Sequence, residues 1–175
     1  MGGRVALHFA AAHPTKVRRL ILESASPGLG TEAERLERQA NDEALACEIE
    51  LHGVKDFVRR WERLPLFESQ FQLPSPVRAK RHAQRLRNTE AGLAFALRGL
   101  GTGVLPSLWE ALPSIQTRTL IIAGELDTKF VEIGEQMTAV LPQAQLLIVP
   151  GAGHTVHLER PRPWVEVVAE FICST

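Results

Sequence analysis

The sequence predicts an α/β protein: parallel strands with flanking helices, interrupted by a long helical insertion. Three observations carry this. Arg118 to Ala123 (RTLIIA) and Gln145 to Val149 (QLLIV) are short runs with almost no polar side chain. Strands of that kind are covered on both faces, as in parallel sheets. The segment between them has helix length, and strand–helix alternation implies right-handed crossovers in one sheet. The third observation is contrast: residues 31–107 are charged, spaced like helices and punctuated by Pro and Gly.

Taken in order, Gly2 to His13 reads as a helix. Gly2, Gly3, Ala6, Ala10 and Ala11 give it a small-residue side suited to close packing on a sheet, and Pro14 ends it. Val17 to Glu23 is a short apolar run that leads into the loop Ser26-Pro27-Gly28, so a buried strand follows the helix. Thr31 and Glu34 have the spacing of a capping box for a helix to about Leu51. Val54, Phe57, Val58 and Trp61 continue at helical spacing. Ser75-Pro76 reads as an N-cap followed by proline at the first helical position. A further helix is expected over Glu90 to Leu100, ended by Gly101. After strand RTLIIA come a helix over Val131 to Leu141, strand QLLIV and a closing helix over Pro161 to Ile172, with Trp164, Val165, Val168 and Phe171 on one face. Three strands make a thin sheet, and an edge beside the first helix is expected to be bare. The organisation is 1–30 core, 31–107 helical insertion and 108–175 core.

The chain has 175 residues, enough for a domain with its own core, and 20 basic residues balance 20 acidic ones. That balance points away from nucleic acid and from membrane surfaces. No apolar run reaches the about 18 residues of a membrane span, and the N-terminus does not read as a signal peptide. A cytoplasmic protein is expected, or an organellar one in a plant or alga. Arg far outnumbers Lys, which supplies bidentate anion binders if some face a pocket. Cys47 and Cys173 lack metal or disulfide spacing and read as small buried hydrophobes. His154 and His157 stand three apart without acidic or Cys partners, so no metal site is expected. His8, His13, His52 and His82 show no partner pattern.

Asp127 follows strand RTLIIA in the loop AGELD, and His154 follows strand QLLIV in the loop PGAGH. Functional groups of open α/β sheets gather at the carboxyl ends of strands. An Asp that accepts from one imidazole nitrogen fixes the tautomer and leaves the other nitrogen as a base. The order Asp then His is the back part of the chain order Ser, Asp, His. The nucleophile of that order sits in Gly-x-Ser-x-Gly, and no such motif occurs: Ser24, Ser26, Ser69, Ser75, Ser107 and Ser114 all lack the context. The opening Met1-Gly2-Gly3 instead matches the residues after the serine. Met1 then takes the position whose backbone N–H helps to form the oxyanion hole, and Gly2 closes the motif. Both glycines would let the helix approach the sheet.

These stretches carry a resemblance. MGGRVAL, LESASPGL, WERLPLF, RLRNTEAGLAFALRGLGTG, GELDTKF and GAGHTVHLE together resemble the α/β-hydrolase superfamily over the whole chain, as the C-terminal part of that fold with residues 31–107 as its helical cap. Within it, the chain is most similar to the 2-succinyl-6-hydroxy-2,4-cyclohexadiene-1-carboxylate synthases of menaquinone and phylloquinone biosynthesis. GELD and GAGH are common in the superfamily; SPGL, W-x-x-x-P-L-F and the R-N-x-x-G-L run with GTG are more specific. The resemblance implies a cofactor-independent lyase that eliminates pyruvate from a small polycarboxylate substrate. It implies Asp127 and His154 as catalytic residues. It implies Arg4, Arg38, Trp61, Arg87 and Phe130 as substrate-binding residues. It also implies a need for an upstream segment with the serine, without which the chain is expected to be inactive and prone to aggregate. Two other functions fit the same residues: an ester or C–C bond hydrolase of the superfamily, and a non-catalytic module that binds anions or a partner.

Overall fold

The computed structural model describes residues 1–174. The chain forms two compact units, Met1–Pro27 together with the chain from Leu108 onward, and Gly28–Ser107.

The first unit is a three-layer α/β/α arrangement. It contains α1 (Gly2–Ala12), β1 (Arg19–Glu23), β2 (Arg118–Gly124), α5 (Thr128–Val140), β3 (Ala144–Val149), the short α6 (Val156–Glu159) and α7 (Pro161–Cys173). The strands are parallel in the order β1-β2-β3, so β1 and β3 are the edges among the described residues. The two faces of β2 are both buried, as a nearly all-apolar strand requires. Ile121 packs with Leu7 and Ala10 of α1 and Met137 of α5. Leu120 and Ile122 pack on the opposite face with Val156 and Phe171. The small side of α1 is used unequally. A Cβ on Gly3 would lie 2.6 Å from Ala25 Cβ, whereas one on Gly2 would meet nothing within 4 Å. The close-approach reason given for both glycines therefore holds for Gly3 alone.

The second unit is helical: α2 (Glu32–Trp61), α3 (Ser75–Arg85), α4 (Glu90–Leu100) and a 3₁₀ stretch over Pro65–Gln72. The capping box forms as the spacing predicts. Thr31 accepts from the Glu34 backbone N–H at 3.2 Å, and the Glu34 carboxylate accepts from the Thr31 N–H at 2.9 Å. The two expected helical runs join into α2 through a break at Gly53, whose φ of 81° and ψ of 165° are not helical. That backbone region is open essentially to glycine only. Gly53→Ala should cost about 1–3 kcal/mol, read as a lower urea midpoint at unchanged m-value.

α2 and α4 pack through Ala46, Ile49 and Ala94, all buried. Arg98 of α4 bridges Glu43 and Glu50 of α2 at 2.7 and 2.6 Å. Its hydrogen bond holds the Glu43 carboxyl down to about 2. Exposed pairs of this kind add little stability, but they set which faces of the two helices meet.

Two local expectations are corrected here. Ser75 does not cap α3: Pro74 is the N-cap, its carbonyl accepts from Val77 and Arg78, and Ser75 and Pro76 lie in the first turn. First-turn N–H groups have no intrahelical partner, so proline is tolerated there beyond the first position. Cys47 and Cys173 are exposed, not buried. Ala46 and Ile49 take the buried stripe of α2, which turns Cys47 outward to donate to Glu43 Oε1 at 3.3 Å. In the last turn of α7, Phe171 is the residue that faces inward.

Candidate active site

The site begins with strand register. β2 and β3 pair so that Gly124 stands opposite Val149. The loops that follow leave the sheet at the same level and run side by side. Glu125 N–H donates to Val149 O at 3.0 Å and Leu126 N–H to Ala152 O at 2.9 Å. A Cβ on Gly124 would collide with the backbone of Ala152 and Gly153, so only glycine lets the loops pack this closely.

Asp127 sits at the end of the first loop, as the N-cap of α5. Its carbonyl accepts from Phe130 and Val131 at 2.9 and 3.0 Å, which starts the helix one turn before the apolar periodicity does. An Asp at this place normally caps its own helix through the side chain. Here no such bond forms. The carboxylate turns to His154 instead, with Oδ2 2.6 Å from Nδ1. The Asp127 side chain is 5% exposed and that of His154 23%, so the pair is sheltered yet reachable. An ionised carboxylate can only accept, so Nδ1 carries the proton and a neutral ring keeps its lone pair on Nε2. Phe130, one turn along α5, packs its ring 4.9 Å from the imidazole at 60°.

The same unit holds Met1 and Arg4. Met1 is the N-cap of α1 and its carbonyl accepts from Arg4 and Val5 at 3.1 and 3.3 Å. Arg4 is only 6% exposed, unlike a solvated surface charge.

Arg38, Trp61 and Arg87 belong to the helical unit. Arg38 Nε donates to Asp42 Oδ1 at 2.8 Å, and the Asp42 side chain is 5% exposed. Arg38 therefore neutralises a buried carboxylate whatever else it does. Trp61 stands between two rings, 5.3 Å from Phe57 and 5.6 Å from Phe67. Arg87 is exposed and has no side-chain partner among the described residues.

Sequence reasoning missed the groups that hold the His154 loop. Glu159 is 7% exposed, and its carboxylate accepts from Gly153 N–H at 2.6 Å and Thr155 N–H at 3.1 Å. Glu125 accepts from Gly151 N–H at 2.8 Å. His157 Nδ1 lies 2.8 Å from Glu23 Oε1, at the end of β1. The spacing of GAGHTVHLE held one available signal: an acid five residues after the His, within reach of the preceding amides. The His157–Glu23 pair spans 134 positions and has no local signature.

Known proteins resemble this chain over nearly its whole length. The "Putative 2-succinyl-6-hydroxy-2,4-cyclohexadiene-1-carboxylate synthase" of Bacillus subtilis is 46% identical over 174 residues, covering 99% of this chain and 64% of that protein. The structure of MenH from S. aureus aligns with a TM-score of 0.95 and 40% identity, covering 97% of this chain and 64% of that one. A malate-bound thermophilic esterase from Thermogutta terrifontis aligns with a TM-score of 0.83 and 26% identity, covering 98% and 61%. The chain thus spans a little under two thirds of the length of each. The alpha/beta hydrolase family pattern matches residues 1–168. That match spans nearly the whole chain, and the chain belongs to the alpha/beta hydrolase family.

Proposed function

We propose that this chain is part of a pyruvate-eliminating lyase that forms 2-succinyl-6-hydroxy-2,4-cyclohexadiene-1-carboxylate in menaquinone or phylloquinone biosynthesis. The observation that carries the reading is the extent of the likeness to the Bacillus subtilis protein. It runs through 99% of the chain, the helical unit included. The Asp127–His154 pair alone does not separate this reading from other functions of the family; the more specific W-x-x-x-P-L-F and R-N-x-x-G-L stretches lie in the helical unit.

In this reading, His154 Nε2 holds the proton of a serine whose oxygen removes a proton from a ring carbon of the substrate. The ring C–H and C–O bonds break and a ring C=C bond forms. The leaving pyruvate departs as its enolate and is protonated. Asp127 stabilises the imidazolium that carries the serine proton. The start of α1 offers backbone N–H groups at the positive end of a helix dipole, suited to developing negative charge. That is the oxyanion role proposed for the Met1 position. The resemblance assigns Arg4, Arg38 and Arg87 to the substrate carboxylates and Trp61 and Phe130 to its ring. The 175 residues contain no Gly-x-Ser-x-Gly, so the serine of this reading comes from outside them and the chain alone does not turn over. No metal or organic cofactor takes part.

The test is pyruvate release from the enolpyruvyl substrate, by the chain alone and by the chain extended upstream through a Gly-x-Ser segment. Release by the extended form and none by the shorter form is expected. Within the extended form, Arg87→Ala should lower kcat/KM for the lyase reaction by about 10–100-fold, the loss of a charge-assisted hydrogen bond of about 1.5–3 kcal/mol. Arg38→Ala is the less informative variant, because it also strands the buried Asp42 carboxylate.

A second reading, ester hydrolysis, is favoured by the likeness to the Thermogutta terrifontis esterase. Hydrolysis of simple aryl esters without pyruvate release, unaffected by Arg87→Ala, would select it. Tight binding of the diene product with neither activity, in the extended form, would select a binding module.

A further inference from the structure

We infer that Glu159 is the positioning residue of the His154 base: its carboxylate clamps the two backbone amides that flank His154 and so aims the imidazole at Asp127. The inference rests on the reading of His154 as the general base.

Three observations meet here. First, both carboxylate oxygens are used and each takes a different amide. Oε2 accepts from Gly153 N–H at 2.6 Å and Oε1 from Thr155 N–H at 3.1 Å. Those are the residues immediately before and after His154, so the clamp fixes the peptide planes on both sides of the catalytic Cα. Second, the carboxylate is buried with Gly153. Hydrogen bonds to a buried charge are short and strong, and water does not compete for the amides. Third, α6 is only four residues long, too short to be held by its own ladder. Glu159 is its last residue and reaches back over its start, so the turn carrying His154 is closed by a side chain.

Other contacts act at different points of the loop. Glu125 holds Gly151, three residues upstream, and His157 holds Glu23, three residues downstream. Asp127 holds the ring itself at Nδ1. Loss of the Glu159 carboxylate would release the amides on both sides of His154, and a shift of about 1 Å at a catalytic group costs about 100-fold in rate.

A carboxylate is required, not merely a side chain of this size. Glutamine has the same shape but presents one oxygen and one NH₂. One of the two amides would then face a donor and stay buried without an acceptor. Glu159→Gln should therefore behave as a loss, despite being isosteric.

The experiment reads the geometry of His154 directly. In the form extended upstream through the Gly-x-Ser segment, ¹⁵N NMR of His154 should show a single tautomer protonated at Nδ1, with a low-field proton resonance from the Nδ1–H···Oδ2 bond. Glu159→Gln should lose the low-field resonance and mix the tautomers. Thr31→Ala, which removes a helix cap in the other unit, should leave both unchanged at a similar loss of stability. A folded Glu159→Gln protein with the resonance and tautomer intact would overturn the inference. If that variant does not fold, amide exchange in the unsubstituted extended form decides instead. Gly153 and Thr155 should exchange at least about 100-fold slower than unstructured amides, as protected native hydrogen bonds do, and rapid exchange at both would overturn it. None of these readouts depends on turnover, so a failure of pyruvate release would refute the proposed reaction and leave the clamp standing. In the extended, serine-bearing form, Glu159→Gln should lower kcat about 100-fold with KM little changed.

Discussion

Asp127→Asn, in a form of the protein that carries the nucleophile, should lower kcat by about ten-thousand-fold and leave KM within a few-fold. The size follows from what the carboxylate does at 2.6 Å from Nδ1. It accepts only, so it holds the Nδ1–H tautomer and presents Nε2 to the substrate side. An asparagine can turn its NH₂ toward Nδ1, which stabilises the opposite tautomer and removes the base. It also removes the negative charge that stabilises the imidazolium, and a side chain 5% exposed leaves little water to replace it. Steady-state rates for wild type and variant, with the ¹⁵N tautomer of His154 measured in both, test this. Full activity with the tautomer reversed would show that the pair is structural.

Gly124→Ala should destabilise the first unit by about 3 kcal/mol and abolish activity as well. The added Cβ meets backbone, with the Ala152 carbonyl carbon at 2.6 Å and two carbonyl oxygens closer still. Backbone held by the Glu125–Val149 and Leu126–Ala152 hydrogen bonds cannot swing aside as a side-chain tip can. The loops must separate, and with them Asp127 and His154. Urea denaturation should show a lower midpoint, and the low-field His154 proton should vanish even well below that midpoint. An unchanged midpoint would mean that the two loops are not packed as described.

Much of the fold was legible in the chain because its cues are local. RTLIIA reads as a doubly covered strand because it is nearly all apolar, and β2 is buried along almost its whole length; QLLIV reads the same way but forms an edge strand, with Val149 buried and Ile148 exposed. Thr31 and Glu34 announced the start of α2 by spacing alone. The apolar periodicity places the α5 start a turn late, because Asp127 gives its carbonyl to the helix as the N-cap and its carboxylate to His154. The cysteines differ from expectation for a related reason. A residue type suggests a role, but the neighbours that occupy the buried stripe decide which way it faces.

The pairing of Asp127 with His154 lay between these cases. Their order after successive strands was written in the chain, because parallel strands point their carboxyl ends the same way. Their contact was decided by the Gly124–Val149 register and by the absence of a side chain at Gly124, neither of which periodicity reports. Glu159 and the His157–Glu23 pair were decided by tertiary structure as well. Hydrophobic pattern and capping spacing record interactions over three or four residues. The aim of an imidazole depends on which amides and carboxylates the folded loops bring within 3 Å, and those arrive from strands separated by as many as 134 positions.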